Sequence, residues 1–282
     1  MITMKFGLDK MSNVAQRIIA GSIGAGVLIS SVCINEWTYF ILFFFICLLS
    51  LIEFYKLIGK AGIKPNKAFG ITSGMMIYSL IFCIEKGILN FKFYYLLFPF
   101  LFLLFLIELF QNNPKPFVNI AFTFLGNIYI AFPFGLLHAS AFNFGSYHYE
   151  IILGTLFLVW ANDIGGFFSG MMLGKTKLFL RVSPKKTWEG SIGGAILTVV
   201  TAVVLSLFYT QLNTIQWIIM SLIIVVIGSC GDLVESLFKR SLEIKDSGDI
   251  IPGHGGFLDR FDSLLLSAPF IAAFLKIISV NS

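Results

Sequence analysis

The chain has 282 residues, 57% of them hydrophobic, 16% aromatic and only 12% charged, with a formal net charge of +5. Its mean hydropathy of +0.88 lies far outside the usage of soluble globular domains. That balance excludes a soluble single-core protein, and a nucleic-acid partner is not expected.

The apolar residues fall into nine runs near the ~20 residues that span a bilayer. They are roughly 15–34, 37–58, 68–84, 93–110, 118–142, 151–173, 190–209, 215–231 and 262–280. The first is expected to be a span rather than a cleaved leader, because more spans follow at once and no small-residue cleavage site closes it. Strand-like alternation is absent. Within hydrocarbon every backbone polar group must be satisfied internally, so the runs predict helices rather than a barrel. The expected fold is an all-α, polytopic membrane helical bundle of about nine transmembrane helices. It forms a single integral-membrane domain over 1–282, with N-terminal spans in 1–150.

Basic residues alternate between loops. Seventeen of the twenty Lys and Arg fall on one side; Lys86, Lys92 and Lys276 make up the other. The positive-inside rule then puts the N-terminus in the cytoplasm and the C-terminus outside. The two richest basic loops, 174–189 and 232–261, share the cytoplasmic face. The four cysteines, Cys33, Cys47, Cys83 and Cys230, have no CxxC spacing and are expected to be buried thiols. Glu53 and Glu108 fall near cytoplasmic helix ends and are expected at the interface. The Phe-rich run 98–105 is expected to face lipid or pack.

Four segments carry residues with chemical potential. In the sixth run, WANDIGGFFSG places Asp163 at membrane depth, where an ionisable side chain points to function. Gly166, Gly170 and Gly174 form a small-residue stripe for close helix packing, and Asp163 on roughly that face is expected to point into the bundle. The plainer alternative for Asp163 is an interhelical hydrogen bond.

The loop SPKKTWEG (183–190) offers Ser183, Lys185 and Lys186 to a phosphate; the plainer alternative is a lysine loop holding anionic lipid heads. Lys175 in GKT does not complete a phosphate-binding P-loop, because the required glycine at 169 is Ser169.

At the end of the eighth run, GSCGDLVESLFKR puts Asp232, Glu235, Ser236, Lys239 and Arg240 on one face if the helix continues. An acid one turn from a hydroxyl, followed by two cations, suits a metal-bound phosphate. An interfacial helix end with snorkelling cations is the plainer alternative, and is favoured for Glu235.

The stretch Ser236–Asp262, SLFKRSLEIKDSGDIIPGHGGFLDRFD, is the densest polar segment in the chain. Its glycines, Gly255 and Gly256 among them, let backbone N–H groups approach phosphate oxygens, and His254 can donate to one. Asp259 and Asp262 sit at i, i+3, where carboxylates suit Mg²⁺, and Arg260 between them offers a bidentate fork. Lys245 and Asp246 add a cation and an acid. A turn with a helix N-cap is the plainer alternative; two acids with Arg between them and His-Gly-Gly before tilt toward function.

The long pattern S-L-F-K-R-x4-K-D-x-G-x4-P-G-H-G-G-x-L-D-R-x-D closely resembles the signature of the phosphatidate cytidylyltransferases (CDP-diacylglycerol synthases). GDLVES, SPKKTWEG and WANDIGGFFSG also fit that family, so the resemblance is strong over roughly 155–265. One departure is Gly166, where the family pattern favours a larger residue such as Tyr.

The resemblance implies transfer of the cytidylyl group from CTP to phosphatidic acid, giving CDP-diacylglycerol and pyrophosphate for phospholipid biosynthesis. The catalytic spans and loops would occupy 151–282. It implies Mg²⁺ dependence, with room for a second cation, a homodimer and a multi-pass location in the inner (plasma) membrane. By correspondence Asp232 and Asp259 would be metal ligands; Lys185, Lys186, Lys239, Arg240 and His254 would contact phosphate or nucleotide. Asp163, Asp246 and Asp262 join the acids of the expected site. Three other readings stay open: a CTP-dependent kinase of a polyprenol-type lipid, a cation transporter lined by Asp163 and Asp232, and a catalytically silent scaffold.

Overall fold

A computed structural model of the chain describes residues 13–242 and 256–280. Helices α1 (Asn13–Ile34), α2 (Glu36–Lys60) and α3 (Lys67–Glu85) follow one another through short turns. Asn35 starts α2 with a capping box, its side chain accepting from the N–H groups of Trp37 and Thr38. A 3₁₀ turn, Phe91–Leu96, leads into α4 (Leu97–Leu109). Helices α5 (Pro116–Gly126) and α6 (Phe132–Ala141) are halves of one span joined by a π turn at Asn127–Ala131. Then come α7 (Tyr149–Leu173), a two-stranded hairpin of β1 (Lys177–Phe179) and β2 (Ser183–Thr187), and α8 (Trp188–Phe208). A second π turn, Ile224–Gly228, joins α9 (Thr214–Ile223) to α10 (Ser229–Ser241), and α11 (Leu258–Val280) closes the described chain.

Among the described residues, eight helices are long and apolar enough to cross a membrane, and the described part of α1 adds a shorter apolar stretch, Gly21–Ile34. The architecture is the polytopic helical bundle expected. Two details depart from expectation. The eighth run does not stop near 231 but continues as helix to Ser241, so its last ten residues are an amphipathic extension rather than a loop. The segment 174–189 is not wholly irregular: antiparallel β1 and β2 pair Lys177 with Thr187 and Phe179 with Ser183.

The core is aromatic. Tyr39, Phe43, Phe54, Tyr55, Tyr78, Phe82, Phe134 and Trp217 are fully buried, linking α2, α3, α6 and α9. Ion pairs bring alternate helix ends together. Lys86 to Glu36 (2.9 Å) and Lys276 to Glu85 (2.9 Å) gather the start of α2 and the ends of α3 and α11 at one end of the bundle. The opposite end gathers the hairpin, the α10 extension and the start of α11.

Glu53 and Glu108 do not face outward at their helix ends. They are 1% and 3% exposed, because neighbouring helices cover them. The cysteines are free, but only Cys47 is buried; Cys33 and Cys230 are exposed on helix faces left uncovered by other helices. In 98–105, Phe98, Phe102, Leu103 and Phe105 are exposed while Leu104 is buried, as a lipid-facing helix requires.

Candidate active site

Glycine sets the site's frame. Helices α7 and α8 pack against each other more extensively than any other described pair. A Cβ on Gly165 would lie 2.9 Å from both the Gly193 carbonyl oxygen and the Gly194 Cα. One on Gly190 would lie 2.9 Å from the Gly166 carbonyl oxygen. The backbones therefore touch, which only small residues on both helices allow. The sequence stripe pointed to this face, although Gly165 rather than Gly166 makes the tightest approach. Gly231 brings α10 against α11 in the same way, 2.7 Å from its would-be Cβ to the Asp262 carbonyl oxygen.

Between these helix pairs lies a cavity of about 730 Å³, within the range of small-molecule sites. Its wall holds five carboxylates, Asp163, Asp232, Glu235, Asp259 and Asp262, and four cations, Lys185, Lys186, Lys239 and Arg260. Asn162, Thr187, Ser191, Ser229 and Ser263 supply neutral polar groups. On one side, Phe167 and Met171 of α7 line the cavity while being 65% and 64% exposed on the bundle surface. The cavity thus meets the exposed apolar flank of α7.

Two charge clusters organise the wall. In the first, Lys186 reaches from β2 to α10, with its Nζ 2.7 Å from Asp232 Oδ2 and 3.3 Å from the Ser229 carbonyl oxygen. The hairpin makes this possible: antiparallel pairing ends in Thr187, whose hydroxyl accepts from the Gly190 N–H and caps α8. Glu189 ties the loop from behind, accepting from the Lys175 and Thr176 N–H groups at 3.1 Å. The Ser236 hydroxyl donates to Asp232 Oδ1 at 3.4 Å, one turn along, as the helical spacing required.

In the second cluster, Lys239 Nζ sits 3.0 Å from Glu235 Oε2 and 2.8 Å from Asp259 Oδ1. Two carboxyl groups thus share one ammonium. Glu235 is only 2% exposed, and its Oε1 is buried with no hydrogen-bond partner among the described residues. A buried ion pair of this kind is a poor stabiliser, since desolvation offsets much of the attraction. The cluster thus leaves carboxylate oxygen facing a polar cavity.

Most expected site residues meet here: Asp163, Lys185, Lys186, Asp232, Lys239, Asp259, Arg260 and Asp262 line one cavity. Asp163 is exposed to it rather than packed between helices, because the glycines beside it, not the acid, face α8. Ser183 and Arg240 do not line it. Ser183 lies at the far end of β2 from Lys186, and Arg240 projects outward from α10 and is exposed. Gly256 is adjacent: its N–H points to Asp259 Oδ2 at 3.4 Å. Lys245, Asp246, His254 and Gly255 lie outside the described residues. Glu235 was the acid assigned to an ordinary helix end; it is buried in the cavity wall and shares the Lys239 ammonium. Its i, i+4 spacing to Lys239 was the available signal.

Whether the wall suits Mg²⁺ turns on donor chemistry. The donors are hard carboxylate oxygens, one of them the buried Glu235 Oε1, which has no hydrogen-bond partner among the described residues. Among the described residues no three His, Cys, Asp or Glu side chains converge into a self-sufficient metal cage. Mg²⁺ is commonly held by one or two carboxylates plus substrate phosphates, so the donor set fits that mode and not an all-protein cage.

The helix ends of this membrane bundle thus enclose carboxylates, lysines and an arginine around one cavity. The chain belongs to the cytidylyltransferase family, whose model matches residues 15–278. It is 39% identical over 163 residues to a phosphatidate cytidylyltransferase of Staphylococcus haemolyticus, covering 57% of this chain and 61% of that relative. It is 38% identical over 169 residues to one from Bacillus subtilis (60% and 62% covered) and 46% identical over 129 residues to one from Haemophilus influenzae (44% and 45% covered). The aligned part thus spans less than two thirds of each relative's length.

Proposed function

We propose that the chain transfers the cytidylyl group from CTP to phosphatidic acid, releasing CDP-diacylglycerol and pyrophosphate. One observation carries the reading: a single cavity combines carboxylates with cations and opens beside the apolar flank of α7. A nucleotide needs the first feature and a lipid the second. Family membership and the names of the relatives support it.

In the reaction a phosphate oxygen of phosphatidic acid forms a bond to the α-phosphorus of CTP. The bond from that phosphorus to the oxygen bridging to the β-phosphate breaks, and pyrophosphate leaves with the electron pair. The nucleophile is already anionic, so no general base is required. What is required is in-line positioning and neutralisation of two polyanions. Lys185, Lys186, Lys239 and Arg260 would contact the phosphates, Lys186 and Lys239 by moving from their carboxylates to the incoming oxygens. Among the described residues the wall sets five carboxylates against four cations, which do not neutralise a triphosphate by themselves. Mg²⁺, held by Asp232 and Asp259 together with substrate phosphates, would supply the remaining positive charge.

The positive-inside distribution of lysines supports a cytoplasmic active site in the inner membrane. A homodimer is part of the same proposal, checked by the mass of the purified protein in nanodiscs. The decisive assay incubates purified protein with CTP, phosphatidic acid and Mg²⁺. The expected products are CDP-diacylglycerol and pyrophosphate. Release of CDP with a newly phosphorylated lipid would overturn the reading for a γ-phosphoryl kinase, and CTP-independent ion flux in liposomes would overturn it for a transporter.

A further inference from the structure

The cavity wall comes from α7, α8, α10, α11 and the hairpin, all in the second half of the chain. Yet α2 also touches this assembly: besides the edge contact of Phe43 with Phe261 of α11, two consecutive residues reach the helix ends that carry the cluster. Glu53 is 1% exposed, and its Oε2 accepts from the Phe257 N–H at 2.8 Å. Phe54, fully buried, stacks on Phe238 of α10 with ring centroids 5.3 Å apart and planes 9° from parallel. Phe238 adjoins Lys239, and Phe257 lies two residues before Asp259. The two contacts therefore grip the helices whose spacing sets the Glu235–Lys239–Asp259 cluster.

The Glu53 contact is not ordinary packing. The first N–H groups of a helix have no partner within it, and a residue of the same chain segment usually caps them. Here a carboxylate on a distant helix takes the N–H just before α11. Its negative charge also suits the positive end of that helix. Glu53 Oε1 is buried and takes no hydrogen bond among the described residues. Burying a carboxylate so incompletely satisfied is costly, and an apolar residue would pack α2 without that cost. The energetic deficit is what a positioning role, rather than a stability role, accounts for.

We infer that Glu53 is a positioning residue: through the Phe257 N–H it fixes the start of α11 and thereby holds Asp259 against Lys239. Its kinetic consequences rest on the cytidylyl-transfer reading, whereas its structural consequence does not. The experiment compares wild type with Glu53→Gln, Glu53→Asp and Glu53→Leu in nanodiscs, by hydrogen-exchange mass spectrometry over 256–262 and by kinetics with CTP, phosphatidic acid and Mg²⁺. Gln keeps an acceptor oxygen at the same reach, so its amide protection and kcat are expected near wild type. Asp withdraws the carboxylate by one methylene and Leu removes it. Both are expected to lose protection over 256–262 and to lower kcat on the order of tenfold to 100-fold, the scale of a small misplacement near the chemistry. KM for the lipid should change little. Asp serves where Leu does not fold. Unchanged protection in the Asp variant, or a Gln variant as impaired as Asp, overturns the inference. A wild-type protein without turnover overturns the functional reading alone, since the exchange comparison still stands.

Discussion

The helices α2–α6 and α7–α11 solve the same problem, burial within a bilayer, in opposite ways. In α2–α6 the interior is aromatic, and it holds neutral polar pairs, Tyr55 to the Thr123 carbonyl, Tyr78 to the Phe40 carbonyl and Asn127 to Ser73, with Glu53 and Glu108 as its buried acids. In α7–α11 glycines let paired helices touch backbone to backbone, and the space between the pairs is lined by charge. Clustered charge within a membrane bundle is costly and is retained where function needs it. The first region therefore reads as scaffold and the second as site. Among the contacts between the two regions, Glu53 places its carboxylate on the start of α11, beside the site.

The largest test of that contrast is Asp259→Asn. The change is nearly isosteric, and Lys239 keeps Glu235 as its partner at 3.0 Å, so the bundle is expected to fold. Removing the charge leaves Lys239 and any bound cation without their shared carboxylate. Turnover should fall by about 100-fold or more, the scale for loss of one preorganised electrostatic contact. Retained activity in a steady-state assay would remove Asp259 from the chemistry. Smaller but still kinetic is Lys185→Ala combined with Lys186→Ala. Each charge-assisted contact to phosphate is worth about 1.5–3 kcal/mol, so KM should rise by at least about tenfold. An unchanged KM for both CTP and phosphatidic acid would mean that these lysines only hold the hairpin to Asp232.

Much of the contrast was legible in the sequence. Hydropathy runs located every span to within a few residues, except where the eighth helix carried on past Gly231 as an amphipathic extension; hydropathy is blind to a helix that leaves the membrane still folded. Spacing found the Asp232–Ser236 and Asp259–Asp262 faces. It could not find that β2 carries Lys186 across to Asp232, because that contact joins segments 46 residues apart through a hairpin too short and polar to show alternation. Nor could it separate Glu53 from an interfacial acid. Burial of a lone carboxylate depends on which helices cover it, and nothing local records that.

A third test concerns stability rather than kinetics and separates two neighbouring glycines. A Cβ at Gly165 meets backbone at 2.9 Å, which cannot yield without moving α8, whereas one at Gly166 meets the Gly190 carbonyl oxygen at 3.7 Å, an ordinary contact. Gly165→Val is expected to lower the unfolding midpoint, at a cost of about 1–3 kcal/mol for overpacking. Gly166→Ala should leave it unchanged. Equal effects at both positions would mean that α7 and α8 do not touch as closely as the glycine pairing requires.

The smallest effect is expected deep in the scaffold. The Tyr55 hydroxyl donates to the Thr123 carbonyl at 2.6 Å, at the approach to the π turn, and its ring fills the space left by Gly70 and Gly126. Tyr55→Phe keeps the ring in that space and removes only the donor. Loss of one buried hydrogen bond costs about 1 kcal/mol, and the apolar surroundings limit what water can restore. The variant should unfold slightly more easily, with kcat and both KM values at wild-type levels, since Tyr55 does not line the cavity. A kinetic change without a stability change would break the division into scaffold and site. It would mean that α2 transmits more to α10 and α11 than the Glu53 and Phe54 contacts account for.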